Sequence, residues 1–205
     1  VFQWAYQIVD RIKSNAVKSY ALADIAKVMV AQATKTKSID LLQDAIHVVE
    51  NIDGTYVKVP VLIAAAKTMT TFGKKEQVID LLLQARQAAE RIGDNPIRES
   101  ALSSTVMAMA ELGVKERDSS LIQQALQVAE KIGYDPTKAS VLREIAKLAA
   151  KLGDFRLART IASKQISVAE EIRTRVLILE TWARSKNPDL VGEKPKDEER
   201  DGRTH

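Results

Sequence analysis

ALADIAKVMVAQ at residues 21–32, VLIAAAKTMTTFG at 61–73, ALSSTVMAMAELG at 101–113 and VLREIAKLAAKLG at 141–153 are one segment written four times, forty residues apart. A second segment keeps register with it: WAYQIVDRI (4–12), DAIHVVENI (44–52), QARQAAERI (84–92), QALQVAEKI (124–132) and KQISVAEEI (164–172). Self-similarity at such a period marks a repeat architecture and is read before any single motif. Leu22, Ile25, Ala26 and Met29 in the first segment, and Leu121, Ile122, Ala125, Val128, Ala129 and Ile132 in the second, follow the spacing of one buried helix face. Each unit therefore reads as two helices, and because neither can hide its stripe alone, units must stack on their neighbours. The expected fold is all-α: a right-handed α-solenoid of antiparallel helix pairs with a 40-residue repeat, about four and a half pairs over residues 1–184.

Local signals place the boundaries. Asn15, Thr55, Asn95 and Asp135 share one repeat position, and each can accept from free amides at a helix start. Pro96 and Pro136 follow two of them, where a fixed φ and a missing amide cost little. Gly73, Gly113 and Gly153 are suited to the left-handed residue that closes the first helix. The second helix is expected to close at Ile12, Ile52, Ile92, Ile132 and Ile172. Pro60 stands where Tyr20, Ser100 and Ser140 stand, so that helix should start late or kink. After Ile172 only RTR precedes VLILETWA, which reads as a shortened loop and an altered end cap. The chain opens inside a second helix without an initiator Met, as a fragment of a longer array or a processed product would. From Ser185 the composition turns to SKNPDLVGEKPKDEERDGRTH, too polar to offset ordering entropy, and residues 185–205 read as a disordered charged tail.

The segment KLGDFRLARTIA, at residues 151–162, resembles the turn of tetratricopeptide repeats, where a Gly-Asp/aromatic step is followed by a recurring alanine. The other turns, TKTKSID and VKERDSS, do not match it, and the units have forty residues rather than the family's thirty-four. The chain is thus similar to the tetratricopeptide-like or HEAT-like α-solenoids. That resemblance implies a curved superhelix whose concave face, lined by first helices, holds an extended peptide or a partner's helix; it transfers no functional residues.

Composition narrows the function. With 45% hydrophobic, 28% charged and 4% aromatic residues, the 205-residue chain fits a globular or repeat protein. Zero cysteines exclude thiolate chemistry and cysteine-ligated metals and fit a reducing, cytoplasmic setting. No apolar run approaches a membrane span, and the first residues do not form a signal peptide. Phosphate-loop, dinucleotide, zinc-protease and calcium-loop motifs are all missing. No catalytic residue, metal ligand or cofactor is therefore expected, and the chain reads as non-enzymatic.

Several constellations remain. Lys27, Lys67 and Lys147 share one position off the apolar stripe, with Met107 in the third unit; joined by Arg143 and Lys151, they form a candidate row of cations on the concave face. Thr68 and Ser104 belong to a hydroxyl-rich surface on the central first helices that can floor a groove. Asp10, Glu50, Glu90 and Glu130, with Lys18, Lys58, Arg98 and Lys138 eight residues later, read as an acid–base ladder that sets register. Met29, Met69 and Met109 read as core filler, and His47 as an exposed surface residue. Trp4 and Trp182 replace polar residues at the two ends and read as cap packing or as contacts for end-to-end self-association.

The function these features favour is a protein–protein interaction module binding a peptide or helix, acidic if the lysines contribute. RNA or single-stranded nucleic-acid binding is the alternative, although without the tail's five basic and six acidic residues the chain carries only +5. A structural or sensor arm of a longer protein is a third reading.

Overall fold

The computed structural model describes residues 2–187. Among them are ten α-helices and no strand. In chain order these are α1 (Phe2–Val9), α2 (Asn15–Thr36), α3 (Ile39–Glu50), α4 (Thr55–Met69), α5 (Lys75–Glu90), α6 (Asn95–Lys115), α7 (Ser119–Ala129), α8 (Asp135–Leu152), α9 (Phe155–Ala162) and α10 (Val168–Lys186). One 3₁₀ turn, Thr70–Phe72, extends α4. Among the described residues no helix is long and apolar enough to cross a membrane.

Packing follows chain order. Each helix from α2 to α9 packs on the next, and a first row, α2–α4–α6–α8–α10, is also in direct contact from member to member. The odd-numbered helices form a second row, in which α3, α5, α7 and α9 are each seated against the first-row helices before and after them and α1 against α2. One continuous core fills the seam between the rows, and Met29, Met69 and Met109 sit fully buried in it as filler.

Helix starts lie one residue earlier than expected. Asn15, Thr55, Asn95 and Asp135 are the first helical residues of α2, α4, α6 and α8. The cap is the extended residue before them. The side chains of Ser14 and Asp94 accept from the amides of Val17 and Ile97, whereas Gly54 and Tyr134 make no side-chain cap. Pro96 and Pro136 fall in the first turn, as expected. Pro60 does not delay its helix: α4 runs from Thr55 straight through it.

The helix closures are of two kinds. Gly73 and Gly153 take positive φ, 69° and 91°, and end their helices as left-handed residues. Gly113 does not. It lies inside α6, and the left-handed residue of that elbow is Arg117, matched by Lys37 in the α2–α3 elbow. Gly113 is needed for space: a Cβ there would lie 2.8 Å from Ile122 Cγ1 and 3.0 Å from the Asp118 carbonyl.

The reading of KQISVAEEI also changes. The second helix of the last pair is α9, only eight residues long, and it ends at Ala162. Ser167 then caps α10 by accepting from the Glu170 amide, so VAEEI is the first turn of the next first-row helix and Ile172 ends nothing. Glu170 and Glu171 suit that place because carboxylates favour a helix N-terminus. α10 continues through Ser185 and Lys186, past the expected boundary at 184; residues 188–205 of the expected tail lie outside the described residues.

Candidate functional site

The exposed face of the first row carries a trough along the N-terminal halves of its central helices. Between α4 and α6 it is a groove of about 370 Å³, lined by Tyr56, Pro60, Ile63, Ile97, Ala101 and Ser104 among others. Between α6 and α8 it widens to about 790 Å³, with Ser103, Tyr134 and Thr137 on its walls. The two meet at Pro96 and Ser100, which line both. At the α2 end, Tyr20 packs edge-on against Tyr56 with ring centroids 5.6 Å apart, and both remain exposed.

Local sequence explains this floor. First-row positions facing away from the core carry Tyr56, Pro96 and Pro136 one after another, then Tyr20, Pro60, Ser100 and Ser140. The result is a surface chiefly of rings and small hydroxyls, with Arg98 as the long charged chain in its wider half. The wall below is anchored: the buried Glu99 carboxylate accepts from the Gly133 amide at 3.0 and 3.2 Å, tying the α7–α8 loop to α6. Ser19 does the same for the Gly54 amide at 3.3 Å.

The lysine row is dispersed and neutralised. Lys27 pairs with Asp24 at 3.0 Å, Lys67 with Glu111 at 3.1 Å and Lys147 with Glu144 at 3.4 Å. Arg143 is held by Glu170, which also takes Arg173, so it ties α8 to α10. The Arg143 hydrogen bond, supported by Arg173, keeps the Glu170 carboxyl below its ordinary range. Lys151 is exposed and has no ion-pair partner among the described residues. Lys67 lines a separate small hollow with Thr70, Glu111 and Lys115, nearer the C-terminal end of its helix than the trough. A bare cationic stripe is therefore not what this face presents.

Of the hydroxyl pair, only Ser104 reaches the trough. Thr68 is buried and lies 3.0 Å from Thr34 Oγ1, a contact between α2 and α4, so it floors no groove. Trp4 and Trp182 are exposed at opposite ends of the molecule, in α1 and α10. His47 is exposed beside Glu50, as expected of a surface site.

The acid–base ladder holds at one rung, Lys18 with Asp10 at 3.0 Å. Lys58 and Lys138 donate instead to the backbone carbonyls of Glu50 and Glu130, capping the ends of α3 and α7, and Arg98 turns to Glu99. The carboxylates of Glu90 and Glu130 reach sideways to Lys131 and Lys164, so the rungs run along the second row rather than across the turn. Free carbonyls at a helix end compete for a lysine within reach, and in two units they win.

Sequence reasoning missed Tyr56, Pro96, Ile97 and Tyr134. The prolines were read only as helix starters, yet a ring at one repeat position in three consecutive units, off the buried stripe, was the available signal. Among the described residues no group of three or more His, Asp or Glu is placed to hold a metal. No protein-family model matches the chain, and neither a curated protein nor a solved structure matches it.

Proposed function

We propose that the chain is a non-enzymatic interaction module of the right-handed α-solenoid kind, with a 40-residue unit, and that it binds a peptide or partner helix along the first-row face. The tetratricopeptide-like or HEAT-like resemblance belongs to this reading, as does a cytoplasmic setting, which rests on the cysteine-free sequence. The observation that carries it is the trough across α4, α6 and α8, where exposed aromatic, proline and serine side chains line a continuous concavity. Grooves of this type accept the apolar side chains of a peptide, with hydroxyls at hand for its backbone.

Charge plays a secondary part. Each of Lys27, Lys67 and Lys147 has a carboxylate beside it, so an acidic partner gains from them only by competing with Asp24, Glu111 and Glu144. Selection of binders from a random peptide library tests the reading. Ser100→Arg with Ser104→Arg fills the trough without touching the core and is expected to weaken selected peptides at least tenfold. Reversing the three lysines should cost acidic peptides only a few-fold. Peptides that bind the filled variant as well as the wild type overturn the reading. A Kd that rises steeply with salt for single-stranded RNA, with no peptide selected, would favour nucleic-acid binding instead.

A further inference from the structure

The two ends of the molecule are complementary. Counted from its cap, Ser167, α10 repeats α8 counted from Tyr134: its core residues Thr174 and Ile178 take the places of Val141 and Ile145. In the same register Ile172, Leu179 and Trp182 take the places of Ala139, Ala146 and Ala149, which are 4%, 0% and 0% exposed. In α10 these three are 56%, 63% and 46% exposed. α8 has α9 and α10 after it, whereas nothing among the described residues follows α10 in the array.

The other end shows the converse. In α1, Phe2, Ala5 and Ile8 stand where α3 carries Leu42, Ala45 and Val48. Those residues are buried in α3, but Phe2 and Ala5 are only half-buried and Ile8 is 43% exposed. A second-row helix is normally seated between two first-row helices, and among the described residues α1 has only α2. So α10 displays the face that a following second-row helix covers, and α1 displays the face that a preceding first-row helix covers.

We propose that α1 of one copy seats against α10 of another, in the place a following second-row helix would take, so that the packing within one chain continues across the junction. The contact joins Ile8, with Trp4 at its margin, to Leu179, Trp182 and Ile172. It is head-to-tail: each copy uses a different surface, so the assembly grows with concentration unless it closes into a ring. Arg175, paired with Glu171, sits where α8 carries the buried Leu142, so a charged pair enters this seam and the junction is weaker than internal packing.

Sedimentation equilibrium over a wide concentration range tests this on the 205-residue chain. The expected result is an average mass that rises past two chains. The chain's two tryptophans, both at the ends, should shift their emission to the blue as concentration rises. Ile8→Glu alone and Leu179→Glu alone should each stay monomeric with unchanged helicity, because both positions are exposed. An equimolar mixture of the two should form dimers and stop there, since each pair keeps one intact junction. Trp182→Ser is a milder second variant at the α10 end and should weaken association at least tenfold. The proposal is overturned if the wild type stays monomeric at several hundred micromolar. It is equally overturned if Ile8→Glu associates as the wild type does, which would mean that α10 pairs with itself.

Discussion

The α6–α7 and α8–α9 elbows solve one problem in two ways. In the first, α6 runs on past Gly113 to Lys115, Arg117 turns with φ 53°, and Asp118 caps α7. In the second, α8 stops at Gly153 with φ 91°, and Asp154 caps a much shorter α9. The α2–α3 and α4–α5 elbows repeat this alternation, turning at Lys37 and at Gly73. Two glycines at the same repeat position thus act through different physics. Gly153 supplies a backbone conformation, whereas Gly113 supplies the missing methyl that lets α7 approach α6.

Breaking the comparison at its strongest point, Gly113→Ala should cost roughly 2 kcal/mol in urea unfolding, because a Cβ at 2.8 Å from Ile122 forces overpacking that outweighs the gain in helix propensity. When it is combined with Ile122→Ala, which removes the clashing Cγ1, the two losses should be less than additive, whereas Gly153→Ala should be indifferent to residue 122. The caps come next: Ser14→Ala and Asp94→Ala should each lose about 1 kcal/mol, while Asn15→Ala and Asn95→Ala should change stability little, as read by thermal melts. Sharpening the comparison, Arg117→Gly relieves a left-handed non-glycine and should gain about 0.5 kcal/mol once glycine's entropy is subtracted, whereas Gly153→Arg should lose.

The smallest effect is electrostatic. Hydrogen bonds from Ser120 and then Lys75 hold the Asp118 carboxyl below its ordinary value of 3.8. The unfolded chain therefore takes up this proton first on acidification. The stability it contributes is present above the ordinary carboxylate range and is lost as pH falls through and below it. Asp118→Asn should flatten the acid-unfolding profile slightly between about pH 4 and 2, seen by circular dichroism.

The helices were legible because apolar spacing survives in every unit, and the four starts marked by Asn15, Thr55, Asn95 and Asp135 fall within one residue of the expected place. The elbows were not: Lys37 and Arg117 carry no local signature of a left-handed turn, and Gly113 mimics one. The last pair misled because VAEEI, in the first turn of α10, mimics the VAEKI of residues 128–132 at a second-row helix end. For the site, the carboxylates beside Lys27 and Lys147 stand three residues away on the same helix and could have been read from spacing alone. The Lys67–Glu111 pair joins α4 to α6 and depends on how the rows stack, which no single segment specifies.

A row in which each helix is held chiefly by its nearest neighbours behaves mechanically as elastic joints in series. Slight rotations at α2–α4, α4–α6 and α6–α8 add, so the ends swing through a larger arc than any junction does alone. Tension applied across the chain is carried by every joint at full strength, and the molecule should stretch first as a spring and then peel from its least-covered helices inward.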